Sequence, residues 1–331
     1  MLGCQPADDL PPLRFEGEVL SYATDEDLCE GTVDYGERWM TAVGARLGIS
    51  RDQIFHTTYY QLDPEDVTER CGAVGCTRIV DGEIRIFDSQ PLRKHELVHA
   101  LHLSAWRRGR PLLTEGLATV FEESNPVIAF GPGLDIDVDE QLEIEHAEPD
   151  TYVVGRWIVY WIVRRHGLDA FRDFWQADVR GSSAEEFRDL FEQHFGESLD
   201  AMLADVSGQP TCTWLTCIED VVEWQGDFWA TESPASCGDG PTVGIGSTLE
   251  RGVLIEVPAS GTYTVSISPS DLGSQGALIH PCSDVCGSPT WVGSFYAGTT
   301  SDVLWDAGLY RVTTAKLGVD DPGVRVEIRA K

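Results

Sequence analysis

"KHELVHALH", Lys94 to His102, places three of the chain's eight histidines within eight residues, with a glutamate after the first. His95, Glu96 and His99 fit the pattern His-Glu-x-x-His. Residues four apart on a helix differ by about 40° in rotation and one turn in height. Both imidazoles therefore leave one face and can grip one ion. Zinc suits nitrogen ligands and needs a third protein ligand plus an open position to be catalytic. Glu96 adjoins His95, so it flanks such an ion without binding it. Zinc lowers the pKa of its water to about 7, so a carboxylate suffices as base, and Glu96 is the candidate. His102 lies close in rotation to both histidines but too far along the axis to close a compact site, and reads as a supporting or buried residue. An extended motif with a third histidine six residues past His99 fails, because Ala105 stands there.

The candidate third ligand is Glu115 in "RPLLTEGLATVFEE", Arg110 to Glu123. The link "LSAWRRGRP" contains Gly109 and Pro111, so the chain can turn and lay a second helix beside the first. Gly116 and Ala118 are small enough for close helix packing. Glu122 and Glu123 are candidates to orient a histidine through its outer nitrogen.

"HELVHALH" followed by "LLTEGLATVFEE" resembles the gluzincin metallopeptidases, in particular the minimal peptidase-MA-like members. The resemblance implies two histidines and a downstream glutamate as zinc ligands. It also implies a thermolysin-like architecture, a small mixed sheet on the active-site helix followed by a helical subdomain. It covers residues 14–207, with its specific part between Lys94 and Glu123. The gap from His99 to Glu115 is shorter than in the larger aminopeptidase and thermolysin-type relatives. Family members often carry a tyrosine on a later helix that hydrogen-bonds the oxyanion. "DTYVVGRWIVYWIVRRHG", Asp150 to Gly167, resembles that segment and makes Tyr152 the candidate, with Tyr160 in reserve. His146 and His166 have no partner pattern and read as structural or solvent-facing.

The 331 residues suffice for two domains. Strand patterns at Arg14–Ala23, Gln53–Gln61 and Glu83–Phe87 surround a helix at Gly31–Leu47 and a glycine-rich turn, "CGAVGC", at Cys71–Cys76. Helices are then expected at Leu92–Trp106, Thr114–Glu123, Tyr152–His166, Asp169–Gln176, Ser183–Phe195 and Ser198–Val206. Strands first and helices after imply an α+β domain over residues 14–207. Beyond Ser207 helical periodicity vanishes. Gly252–Ser268, Gly276–His280, Ala307–Ala315 and Gly323–Ala330 read as strands, so residues 208–331 are expected to be an all-β sandwich. Its "VLIEVPASGTYTVSIS" and "WDAGLYRVTT" segments resemble the small β-sandwiches appended to secreted bacterial peptidases. Tyr263 and Tyr310 are expected in its core or strand pairing. Trp214, Trp224, Trp229 and Trp291 are expected to pack inside, with a binding platform as the alternative.

The formal net charge is −31, from 55 acids and 24 bases. Such a surface repels nucleic-acid phosphates and anionic lipid. Hydrophobic content of 42% fits a folded chain. The longest apolar run, Tyr152–Val163, carries Arg156 and is too short to span a bilayer. The opening "MLGCQPADDLPP" resembles the end of a lipoprotein cleavage site, which implies a lipid on Cys4 and a tether through residue 13. That lipid would be the chain's link to a membrane. Setting Cys4 aside leaves eight cysteines, which fit disulfides in an exported protein. Cys212-x4-Cys217 and Cys282-x3-Cys286 also have zinc-ribbon spacing. "GLDIDVDEQLEIE", Gly133–Glu145, alternates like an acidic-faced strand. Beside the cleft it would favour basic peptide or protein substrates. Asp135, Asp137 and Asp139 begin a calcium-loop pattern that fails at Glu140.

The sequence thus predicts an exported zinc metallopeptidase. The competing expectation is a surface binding protein whose zinc site is structural or vestigial.

Overall fold

The computed structural model of the chain describes residues 10–122, 127–129, 137–206, 209–212, 214–234, 236–238, 242–245, 248–268, 276–282, 294–317 and 323–331. Cys4, Glu123, Asp135, Cys286 and Trp291 lie outside these residues, as does the tether before Leu10. The architecture is mixed α+β.

A hairpin opens the chain, β1 (Leu13–Glu16) and β2 (Leu20–Ala23). The single strand expected over Arg14–Ala23 is broken at Gly17. The side chain of Glu37 accepts there from the backbone N–H groups of Val19 and Leu20, at 2.7 and 3.2 Å. Helix α1 (Glu30–Arg46), strand β3 (Thr57–Gln61), helix α2 (Pro64–Cys71) and the hairpin β4 (Gly75–Val80) to β5 (Glu83–Asp88) follow. The sheet order is β1-β2-β3-β5-β4, with β3 parallel to both β2 and β5 and antiparallel edges. Helix α2 had no apolar stripe to announce it, since Val67 is its one buried residue. Its start follows from Pro64 in the first turn, and its end from Gly72 in the left-handed region.

Helices then dominate: α3 (Lys94–Ala105), α4 (Pro111–Phe121), α5 (Val138–Glu143), α6 (Pro149–His166), α7 (Leu168–Ala177), α8 (Ala184–Phe195) and α9 (Leu199–Asp205). Helix α4 begins three residues before the expected Thr114, because Pro111 suits a first helical turn. The acidic segment expected as a strand is helical in its described part. Asp137 accepts from the backbone N–H groups of Asp139 and Glu140 and so starts α5, which buries Gln141 and Leu142. No helix among the described residues is long and apolar enough to cross a membrane. The apolar run at Tyr152–Val163 is instead core, with Ile158, Tyr160 and Ile162 fully buried.

A two-stranded pair, β6 (Val127–Ala129) with β7 (Pro210–Cys212), leads onward. The remaining strands are β8 (Phe228–Glu232), β9 (Val243–Ile245), β10 (Thr248–Val257), β11 (Gly261–Ser268), β12 (Gly276–Pro281), β13 (Ser294–Tyr296), β14 (Thr300–Trp305), β15 (Gly308–Leu317) and β16 (Arg325–Ala330). They form two antiparallel sheets, β13-β12-β15-β10-β9 and β14-β11-β16-β8. Between them lies a core that includes Trp229, Ile255, Val265, Trp305, Val312 and Ile328. Tyr263 and Tyr310 stack on opposite sides of the Trp305 contact, at 5.4 and 5.1 Å between centroids. Each hydroxyl donates to a carbonyl four residues upstream. Trp229 is buried here, and the Trp224 indole donates to Glu256 O. Trp214 instead packs in the first core, beside Phe121 and Tyr160.

Disulfides Cys29–Cys237, Cys71–Cys76 and Cys217–Cys282 fit an oxidising compartment outside the cytoplasm. The first joins the two parts of the chain. The third takes one cysteine from each zinc-ribbon-like pair, which removes that reading.

Helices α4 and α6 cross at Gly116 and Gly155. A Cβ on Gly116 would collide with the Gly155 carbonyl, and one on Gly155 with Leu112 O. Gly116→Ala is expected to cost about 1–3 kcal/mol by overpacking. Urea unfolding checks this, and an unchanged midpoint would mean the two backbones are free to separate.

Candidate metal centre

Helix α3 is buried on every face from His95 to His102, and His95, His99 and His102 are 6%, 9% and 2% exposed. The turn of α4 that holds Glu115 faces them. His95 Nε2 lies 2.9 Å, and His99 Nε2 3.3 Å, from the same Glu115 carboxylate oxygen. The ligand atoms of these three residues lie within 4.8 Å of one another. Two imidazole nitrogens and a carboxylate oxygen form a donor set that zinc accepts.

The outward nitrogens are also occupied, which supports the fit. His95 Nδ1 is 2.9 Å from the Glu122 carboxylate. His99 Nδ1 is 3.2 Å from His102 Nε2. An Nδ1–H donated outward leaves each Nε2 with its lone pair toward Glu115, the tautomer a metal needs. Burial, then the nearby His99, hold the His102 imidazole well below the usual histidine range, so it is neutral and able to accept. His102 Nδ1 has no hydrogen-bond partner among the described residues, and the ring leans on Trp175 at 5.3 Å. His102 therefore stands behind His99, not in the ligand set.

Glu96 is 4% exposed and turns toward the sheet. The Thr77 hydroxyl on edge strand β4 lies 2.8 Å from Glu96 Oε2 and 3.0 Å from its backbone carbonyl oxygen. The sequence pattern held no signal for Thr77, because β4 itself was not expected. Asp88 comes close from β5: a Cβ on Gly75 would meet both Asp88 Oδ2 and Glu96 Oε1. Burial, opposed by Gln90 N–H and Arg93, pushes the Asp88 carboxyl up to about 6.

Tyr152, on the second turn of α6, brings its ring to 5.7 Å from that of His95. Burial, then the Glu115 and Glu96 carboxylates, raise its phenol far above the ordinary value. Tyr160, the reserve candidate, lies fully buried in the core with its hydroxyl accepting from Arg164 at 2.6 Å. His166 pairs with Glu197 at 3.1 Å. His146 is exposed on the rim of the cleft. That cleft encloses about 750 Å³ and is lined by His95, Glu96, His99, Glu115 and Tyr152.

No family model matches this chain, and no curated protein does. Among solved structures, the chain is similar to the pre-peptidase C-terminal domain of a collagenase from Bacillus anthracis. The identity is 13%, over 35% of this chain and 99% of that one, with a TM-score of 0.23.

In the metal-free protein burial opposes the His95 charge, but hydrogen bonds to Glu115 and Glu122 outweigh it and lift the imidazole to about 10. A raised folded-state value stabilises below the unfolded value, about 6.5, and the gain is lost as pH rises. Chelator-treated protein is therefore expected to lose stability from about pH 6.5 up to about pH 10. Glu115→Gln should flatten that slope in denaturation measured across the range.

Proposed function

We propose that this chain is an exported zinc metallopeptidase of the gluzincin kind, with a peptidase-MA-like unit over residues 14–207 and an accessory β-sandwich over residues 208–331. One observation carries the reading: His95 Nε2, His99 Nε2 and the Glu115 carboxylate converge at one point, with Glu96 and Tyr152 lining the same cleft.

His95, His99 and Glu115 hold the ion, and Glu122 and His102 fix the two rings from behind. Zinc, when bound, supplies a Lewis acid that lowers the pKa of water and polarises a carbonyl. Glu96 takes a proton from the attacking water and passes it to the leaving amine. Thr77 holds the Glu96 carboxylate against β4 through Oε2. Tyr152 keeps its proton at neutral pH and donates it in a hydrogen bond to the oxygen on which negative charge develops.

A structural zinc site in a binding protein needs a fourth protein ligand. His102, the nearest candidate, is spent on His99 Nδ1, which favours an open position and catalysis.

The deciding measurement is cleavage of a broad peptide library by the purified chain, with and without chelator, beside elemental analysis. Zinc at one per chain with no peptide cut would favour the binding-protein reading. Glu96→Gln is expected to retain zinc and lose about 10²–10⁴-fold in kcat, whereas His99→Ala should lose the metal itself. Full activity in the Glu96 variant would remove that residue from its role. Tyr152→Phe should lower kcat by about 10²–10³-fold at unchanged zinc content. An undiminished kcat would assign the oxyanion contact elsewhere.

A further inference from the structure

The cleft at the metal centre gathers three arginines on a protein that is strongly acidic. Arg78 reaches it from β4, Arg108 from the α3–α4 link and Arg180 from the α7–α8 link. All three are exposed. None holds a carboxylate among the described residues. The nearest to a partner is Arg180, whose Nη2 donates to the backbone carbonyl of Glu145 at 3.4 Å. Several arginines elsewhere hold carboxylates, Arg93 with Asp88, Arg110 with Asp178, Arg165 with Glu197 and Arg188 with Asp139 and Asp200, while others such as Arg14, Arg107 and Arg164 donate to a carbonyl or a phenol. In a chain with 55 acids against 24 bases, three exposed arginines with no carboxylate among the described residues converge on this one cleft. Among the described residues the carboxylates that line it are Glu96, Glu115 and Glu145. Glu115 is engaged by two histidines and Glu96 by Thr77, and neither is paired with an arginine among the described residues.

We infer that Arg78, Arg108 and Arg180 form a carboxylate-binding rim, and that the substrates are peptides with Asp or Glu side chains flanking the scissile bond. This rests on the hydrolase reading of the same cleft, and it replaces the basic substrates expected from the acidic segment at Gly133–Glu145. A guanidinium presents a planar fork of donors that matches a carboxylate. Three of them on separate elements can engage acidic side chains on either side of a bound peptide. The surrounding negative surface repels acidic chains, so their selection depends on short-range contacts at the rim and not on long-range steering. The substrate's carboxylates could also come from a free C-terminus, and the test separates the two sources.

The test uses the zinc-loaded full chain and matched peptides that differ only in Glu, Gln or Lys beside the cut site. One set is capped at both ends, and one neutral set has a free C-terminus. The expected result is a kcat/KM for capped Glu peptides about tenfold or more above Gln peptides, consistent with a charge-assisted contact. The preference should shrink severalfold at about 0.5 M salt. It should approach unity when Arg78, Arg108 and Arg180 are all replaced by Gln. Preference for the free C-terminus over internal Glu would replace side-chain recognition with terminal recognition. A second readout uses Glu96→Gln and fluorescence anisotropy of labelled capped peptides, so that binding is scored without turnover. Equal affinity for Glu, Gln and Lys peptides, or Glu affinity unmoved by the triple replacement, overturns the inference. Glu-selective binding with no library peptide cut would sink the hydrolase reading and leave the arginine rim standing.

Discussion

The approach of two backbones at Gly116 and Gly155 sets the rest of the centre. Where helices cross at this distance, a methyl group has no room. The consequence is positional. Glu115 stands beside one of the glycines on α4, and Tyr152 lies three residues before the other on α6. Closing that crossing brings the carboxylate of one helix and the phenol of the other to the histidine face of α3. Alanine at either position would force the two backbones apart and disturb the placement of both groups.

A cluster of three imidazoles and three carboxylates, most of it buried, is expensive to assemble. The surroundings offset that cost with opposed charges and hydrogen bonds rather than with solvent. Glu115 is held well below the usual carboxylate range because two histidines outweigh its burial. Below the centre, Arg110 caps the approach to α4 and forks onto Asp178 at 2.9 and 3.1 Å, with Ser182 Oγ at 2.7 Å and the Leu142 carbonyl as further acceptors. Both members of that pair are about 1% exposed. It ties the first turn of α4 to α5, α7 and α8, so Glu115 is fixed from behind as well as through its crossing with α6.

Much of this was legible in the residues. His-Glu-x-x-His has a fixed helical geometry, so the convergence of His95 with His99 follows from spacing alone. Glu115 was legible because Gly109 and Pro111 announce a turn and Gly116 announces a close helix. Thr77 was not, because an edge strand half exposed to solvent shows no clean alternation. The segment after Asp137 misled for a related reason. Acid and aliphatic residues alternate there with a strand's period, but an aspartate that can cap a helix competes locally with that pattern and wins. His102 was legible as a neighbour of the site, yet its bond to His99 Nδ1 depends on rotamers that spacing does not specify.

The two parts of the chain are coupled more closely than their different composition implies. Cys29–Cys237 ties the start of α1 to the second part, and Thr32 exchanges hydrogen bonds with the Gly244 backbone. From there a polar chain runs inward. Arg311 lies 3.5 Å from Glu219 Oε1, which accepts from the Tyr35 hydroxyl at 3.1 Å, which in turn accepts from Lys94 at 2.8 Å. Lys94 opens α3 and is followed directly by His95. A cavity of about 540 Å³ at this junction is walled by Glu219, His280 and Arg311 on one side and by His95 and Glu122 on the other. His95 thus stands in the wall between that cavity and the cleft. A displacement of the β-rich part would act on the first turn of α3, and through it on His95 and its hydrogen bond to Glu122. The second part is thus joined to the first turn of α3 by a disulfide and a continuous run of polar contacts.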